Sequence, residues 1–267
     1  MKEKMPKRLG FLAGMGLALW LWRRERAGGG PSTGPSTGWG GASGRRSGQA
    51  VSRRLKYAVI RGTQSARLVR GREHAPWVRR FYALLAPVYD LTLLNLPGYR
   101  RSARDLIERL EVRAEDTALD VGCGTGLLTL PLAEQARRTA GLDLSPAMLE
   151  KLTAKAARRG LNVELRQGSV LDLPFADEEF AVVTTAFMLL YLTPAEKQRA
   201  MAEMQRVLAP GGRLGCLSSL GEIADVFLIR EEWEELLAGA GFTDVQIEER
   251  YDVFRLVIAR KRDVNDH

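Results

Sequence analysis

Asp120, Gly122, Gly124, Gly126 and Asp143 carry the clearest chemistry in this chain. An apolar run from Thr117 to Val121 stops at Gly122-Cys123-Gly124-Thr125-Gly126, and an apolar, helix-like stretch follows over 127–136. Glycine has no Cβ and tolerates positive φ, so such a turn brings main-chain N–H groups close to a ligand. The next apolar run, Thr139-Ala140-Gly141-Leu142-Asp143, ends in an acid about twenty residues after the turn. A carboxylate there is suited to accept both hydroxyls of a ribose. Asp120, two residues ahead of the first glycine, is placed to organise the loop or to reach an ammonium group through water. The glycine spacing is G-x-G-x-G; Leu127 stands where a nicotinamide-dependent enzyme would put its last glycine. That argues against a dehydrogenase.

These residues need a scaffold that gathers strand ends. Strand signals fall at 117–122, 139–143, 162–167, 180–186, 212–219, 244–250 and 254–260, and helical ones near 126–137, 146–159, 194–208 and 231–240. Ahead of them Phe81, Leu84, Leu85 and Val88, then Ile107 and Leu110, recur at helix spacing, interrupted by Pro87 and Pro97-Gly98. Ser145 is the expected N-cap of the helix that Pro146 opens. Only Tyr251-Asp252-Val253 separate the last two strands, too few for a parallel crossover, so those strands form an antiparallel hairpin. The expected fold class is α/β. It is a Rossmann-like, seven-stranded, mostly parallel sheet with a C-terminal antiparallel hairpin and helices on both faces. Ligands of such sheets bind at the carboxyl ends of the strands.

Three further segments stand in order beside the glycine turn. Asp143-Leu144-Ser145-Pro146-Ala147-Met148-Leu149 follows the second strand, and Gly168-Ser169-Val170-Leu171-Asp172-Leu173-Pro174-Phe175 follows the third. Arg206-Val207-Leu208-Ala209-Pro210-Gly211-Gly212-Arg213-Leu214 precedes the fifth. Together they resemble the class I S-adenosylmethionine-dependent methyltransferases, in the broad group that holds the quinone-biosynthesis C-methyltransferases. The resemblance covers about residues 81–261.

The resemblance implies S-adenosylmethionine as cofactor. Gly122, Gly124 and Gly126 would approach its amino-acid portion and Asp143 its ribose. Leu144 and Met148 would wall the adenine, with the Val170 N–H beside it. An acid after the third strand often meets the adenine amino group in this family. Ser169 holds that position here and Asp172 lies three further on, so the contact falls to Ser169, to backbone, or to Asp172 through a shifted loop. Thr185, Ala186 and Phe187 would reach the cofactor edge, and Leu189, Leu190 and Tyr191 the acceptor pocket. Ala86-Pro87-Val88-Tyr89-Asp90 resembles the family segment that helps cover the cofactor. The chain departs from the family at Ala181, which follows Phe180 where an Asp is usual, and in lacking a His near the end of the fourth strand.

Methyl transfer from a sulfonium is an in-line displacement whose donor is already activated, so alignment and desolvation supply much of the acceleration. The base candidates are Tyr89 and Tyr191, followed by Asp90 and Tyr82. Acceptors activated by their own acidity, such as quinols, phenols or amines, suit so base-poor a pocket. The competing reading is a catalytically inactive cofactor-binding fold serving as an assembly or interaction protein, suggested by Ser169 and Ala181.

The 267 residues allow one α/β domain and an appendage. The net charge of +8 is unevenly spread: residues 1–80 carry 18 Lys/Arg against 3 Asp/Glu, and residues 81–267 carry 22 against 29. Basic character thus belongs to the N-terminal segment. Leu9 to Trp22 is an uncharged apolar run between Lys2, Lys4, Lys7 and Arg8 on one side and Arg23, Arg24 and Arg26 on the other. As a helix it would span about 21 Å, short of the roughly 30 Å hydrocarbon core, with Trp20 and Trp22 placed for the interface. Residues 1–26 are read as a membrane anchor or targeting segment; a cleaved signal is disfavoured by Arg23-Arg24-Glu25-Arg26 at the cleavage position. Residues 27–74 follow as a Gly/Ser/Pro-rich and then basic linker, and 75–267 as the methyltransferase domain. The expected partners are a small or lipid-like substrate and a membrane surface reached through the N-terminus. The expected location is membrane-associated with the domain on the cytoplasmic side, a mitochondrial address being the alternative. Nucleic acid is an improbable partner, since no stacking platform or Asn/Asp-Pro-Pro-aromatic tetrad is present. The only histidines are His74 and His267 and no Cys/His cluster has ligand spacing, so no metal is expected. Cys123 and Cys216 read as small buried residues.

Overall fold

The computed structural model describes residues 98–221 and 227–263, together with Arg79, Tyr82, Ala83, Ala86, Tyr89 and Asp90. All belong to one unit, Ala66–His267. The expected anchor (1–26) and linker (27–74) lie outside the described residues. Among the described residues no helix is long and apolar enough to cross a membrane.

The strands are β1 (Thr117–Val121), β2 (Arg138–Asp143), β3 (Glu164–Gln167), β4 (Phe180–Ala186), β5 (Leu208–Ser219), β6 (Phe242–Arg250) and β7 (Phe254–Lys261). The helices are α1 (Tyr99–Arg109), α2 (Thr129–Ala133), α3 (Pro146–Arg158), α4 (Pro194–Val207) and α5 (Arg230–Gly239), with a 3₁₀ turn at Leu189–Tyr191. The strands form one sheet in the order β3-β2-β1-β4-β5-β7-β6. β1 to β5 pair in parallel, and β7 runs antiparallel to both β5 and β6. The β6–β7 turn closes with Tyr251 at φ 55° and Asp252 at φ 60°. Positive φ at both central residues matches the right-handed twist of a hairpin.

Strand β5 shows why helices cover both faces. Leu214 and Cys216 pack in one core with Met201, Met204 and Val207 of α4. Gly215 faces the other way, where a Cβ would lie 2.6 Å from Leu110, just past α1. Strand order reverses between β1 and β4, the topological switch where such sheets open a crevice.

Two elements differ from expectation by more than two residues at an end. Helix α2 covers only 129–133 rather than 126–137, because Gly126 at φ 93° keeps the chain in a turn until Leu128. β5 begins at Leu208 rather than 212: Leu208 pairs with Phe180 before a register shift around Pro210-Gly211-Gly212. Ser145 is the N-cap of α3, as expected, but without a side-chain cap. Its hydroxyl is buried without a partner.

Candidate active site

A cleft of about 910 Å³, counting its open mouth, lies at the carboxyl ends of β3, β2, β1 and β4. Gly168, Ser169, Val170 and Leu171 line it after β3, Asp143 and Leu144 at the end of β2, and Gly122 and Gly124 after β1. Phe187, Met188, Tyr191 and Leu192 line it after β4, and Tyr82 and Tyr89 close it from the segment ahead of α1.

Backbone bonds shape the loop after β1. The N–H groups of Gly122 and Cys123 both donate to Leu142 O, at 2.7 and 3.0 Å, and Gly126 N–H donates to Cys123 O at 2.9 Å. Gly124 has φ 52°, and a Cβ on it would meet nothing within 4 Å. The space beside it is therefore open where it lines the cleft. A Cβ on Gly122 would collide with Met188 at 2.8 Å, so that glycine also lets the wall after β4 approach.

The two carboxylates divide their labour. Asp143 lines the cleft; its Oδ2 accepts Gly124 N–H and its Oδ1 accepts Ser145 N–H, both at 2.8 Å. The Leu144 N–H is a third backbone donor, and a carboxylate with about four acceptor sites still has capacity for a further one. Desolvation raises the pKa of this carboxyl, and the backbone donors from Ser145 and Gly124 oppose the rise. Asp120 is 2% exposed and does not reach the cleft wall. Its oxygens accept the hydroxyls of Thr129 at 2.6 Å and Thr184 at 3.0 Å. Burial pushes its pKa up to about 6, with those hydroxyl bonds pulling the other way. Asp120 thus ties β1, β4 and α2 together beneath the loop.

The β4 end of the cleft is aromatic. The hydroxyls of Tyr82 and Tyr191 lie 2.6 Å apart, and the Tyr82 ring stands edge-on to those of Tyr89 and Tyr191. Tyr99 stacks on Phe187 with ring centres 5.0 Å apart. Burial pushes Tyr89 up to about 12 and raises Tyr82 and Tyr191 as well. Phe187 adopts φ 55°, an unusual value for a bulky residue, at the point where the chain leaves β4 over the cleft.

Of the site residues read from the sequence, Gly122, Gly124, Asp143, Leu144, Met148, Ser169, Val170, Phe187, Tyr89 and Tyr191 meet on this wall. Asp120, Gly126 and Thr185 do not. Gly126 is needed for packing, since a Cβ there would lie 2.4 Å from Leu152. Thr185 is 1% exposed and points into the interior. Leu189 and Leu190, expected at the acceptor pocket, are buried beneath the 3₁₀ turn, which presents Tyr191 instead. Ser169 rather than Asp172 lines the cleft, and its Oγ accepts Leu171 N–H at 3.2 Å. Sequence reasoning missed Met188, Leu192 and Glu196, which lie beside the motifs and carry no signature of their own, and gave Gly168, inside its motif, no role at the cleft.

Comparison with known proteins agrees with this geometry. Residues 118–212 match a family model described as a methyltransferase domain. A demethylmenaquinone methyltransferase of Lactiplantibacillus plantarum is 32% identical over 164 residues, 59% of this chain and 68% of that protein. One of Thermus thermophilus is 39% identical over 137 residues, 50% of this chain and 61% of that protein. The chain spans 60% and 61% of the first two curated relatives it matches. Among solved structures, an S-adenosylmethionine-dependent methyltransferase from Aquifex aeolicus aligns with a TM-score of 0.53 at 22% identity, over 63% of this chain and 95% of that one. The [4+2]-cyclase SpnF aligns with a TM-score of 0.61 at 22% identity, over 70% and 95%. Both likenesses speak for the fold alone.

The fold and the cleft define a Rossmann-like domain built for a nucleoside-containing cofactor. The chain belongs to the class I S-adenosylmethionine-dependent methyltransferases, and its cofactor is S-adenosylmethionine. The residues present fit that group. The open space at Gly124 suits its amino-acid portion, the Asp143 carboxylate at the cleft has capacity for a ribose hydroxyl, and Leu144, Met148 and Val170 offer an apolar slot for a base.

Proposed function

We propose that this protein transfers a methyl group to a small or lipid-like acceptor of the quinol or phenol type. When bound, S-adenosylmethionine supplies an electrophilic methyl group on a sulfonium. Gly122, Gly124 and Asp143 would hold its amino-acid and ribose portions, with Leu144, Met148, Ser169 and Val170 about the adenine. With those portions so placed, the β4 end of the cleft would be left for the acceptor.

The aromatic wall at that end carries the acceptor reading. Tyr82, Tyr89 and Tyr191 present flat apolar surface, and their raised pKa values leave them protonated near neutrality. Glu196, the acid on that side, is held in the capping box of α4 by Thr193. Such a wall orients an acceptor without deprotonating it. A quinol or phenol that ionises by itself fits, and relatives named demethylmenaquinone methyltransferase support the same class. The full-length protein should bind S-adenosylhomocysteine in calorimetry and add one methyl to a demethylated naphthoquinol. Turnover confined to water-soluble amines would overturn the acceptor reading. Binding without turnover on any acceptor would favour the assembly-protein reading, which Ser169 in place of an acid keeps in play.

The run from Leu9 to Trp22, with basic residues on both sides, supports attachment to a membrane with the domain on the cytoplasmic side. A mitochondrial membrane is the alternative address. In cell fractionation, Leu17→Glu should move the protein from pellet to supernatant; an unchanged distribution would remove the tether from this proposal.

A further inference from the structure

We propose that Lys155 is a positioning residue for the cofactor loop: paired with Asp90, it pins Thr125 and so holds the Gly122–Gly126 turn in the form that receives the ligand. The inference rests on reading the cleft as the S-adenosylmethionine site. Lys155 is on α3 and is not part of the cleft wall. Its Nζ lies 2.6 Å from Asp90 Oδ2 and donates to Thr125 O at 2.8 Å. The other oxygen of Asp90 accepts the Thr125 hydroxyl at 2.6 Å. Thr125 is therefore gripped at its carbonyl and at its side chain by one ion pair, whose members come from segments far apart in sequence.

The grip falls where the loop most needs it. Thr125 sits between Gly124 at φ 52° and Gly126 at φ 93°. Glycines choose among many backbone states, so the turn has little preference of its own. Asp143 restrains it through Gly124 N–H, and the Lys155–Asp90 pair restrains the next residue, Thr125. The Lys155 side chain is 17% exposed, and desolvation lowers its pKa against the pull of Asp90. A lysine so placed keeps its partner, because its charge left alone would be poorly solvated. Asp90 also directly follows Tyr89, so the same pin carries the phenol that closes the cleft.

The test uses the full-length protein without ligand. Amide hydrogen exchange is followed by peptide, beside calorimetric affinity for S-adenosylhomocysteine. In Lys155→Met, exchange over 122–126 should accelerate about tenfold and affinity should fall by about the same factor, as expected for a lost charged hydrogen bond. Exchange across the β6–β7 hairpin should not change. Lys155→Arg should recover most of both effects, and Asp90→Asn added to Lys155→Met should cause little further loss. Unchanged loop exchange would overturn the proposal, as would acceleration spread equally over the hairpin. Should Lys155→Met fail to fold, Lys155→Gln keeps a donor for Thr125 O without the charge and is judged by the same outcomes. A wild-type protein that does not bind S-adenosylhomocysteine would sink the cofactor reading, while the exchange data would still decide the pin.

Discussion

The two ends of the cleft are built by different means. At the ends of β1, β2 and β3, main-chain groups and one carboxylate do the holding: Gly124 N–H and Ser145 N–H converge on Asp143, and Gly122 and Cys123 share Leu142 O. At the end of β4, side chains from distant segments form the wall, as where Tyr82 meets Tyr191 across 109 residues. The first arrangement depends on backbone geometry and tolerates little change. The second depends on shape and can be altered without disturbing the fold. A domain so divided can keep its cofactor site while the wall that meets the acceptor varies.

Asp143 gives the sharpest test of the division. Asp143→Ala removes the expected ribose contacts and the anchors of Gly124 and Ser145 together. Two hydrogen bonds to a charged group are worth about 3 kcal/mol or more, so calorimetry should show over a hundredfold loss of affinity for S-adenosylhomocysteine. Near wild-type binding would mean that the cofactor lies elsewhere. The glycines should then separate stability from binding. Gly126→Ala places a Cβ 2.4 Å from Leu152, which is fully buried, at φ 93°. Strain and overpacking should cost about 2 kcal/mol of stability in chemical denaturation. Gly124→Ala meets no neighbour, so only the strain of φ 52° acts; it should cost less stability than Gly126→Ala and weaken the ligand instead. Equal loss of stability in both variants would contradict the contrast.

Much of the cofactor half was legible in the sequence because its chemistry is local. Glycine spacing, an acid at a strand end and a three-residue hairpin connection each have a direct physical reading, and the sheet order bears the fold out. What stayed hidden was direction and distance. Asp120 sits one strand register from Gly141 and Thr184, yet nothing in its spacing tells that its carboxylate turns beneath the loop toward Thr129 and Thr184. Leu189, Leu190 and Tyr191 are consecutive, and only the 3₁₀ turn decides that the tyrosine faces the cleft. The Lys155–Asp90 pair joins residues with no motif between them.

Asp120 should reveal itself through pH. Its carboxyl has a pKa of about 6 in the folded state against 3.8 ordinarily, so the folded protein binds this proton more tightly than the unfolded chain. The stability it contributes is full below about pH 4 and is lost as pH rises through about 6. Two pKa units correspond to an upper bound of about 3 kcal/mol, and on the order of 2 kcal/mol is expected. Glu164 and Glu203, whose pKa values are lowered chiefly by Arg138 and Arg206, act in the opposite sense, so the difference between variants is the useful quantity. Stability of Asp120→Asn minus wild type should therefore increase from pH 4 to pH 7. A difference independent of pH would show that Asp120 is ionised throughout.

The smallest effect belongs to the acceptor end. Tyr82→Phe keeps the ring that stands against Tyr89 and Tyr191 and removes one member of the hydroxyl pair. A neutral hydrogen bond is worth about 1 kcal/mol, so kcat/KM for the acceptor should fall roughly fivefold, with affinity for S-adenosylhomocysteine unchanged. Tyr191→Phe should do the same, and the double variant should lose little more, because both remove one interaction. Because these phenols stay protonated to high pH, none of the variants should shift the pH dependence of turnover near neutrality. A shift would make one of them a proton acceptor and remove the reason for an acceptor that ionises by itself. Weaker cofactor binding in either variant would instead mean that the aromatic wall and the glycine loop are not separable.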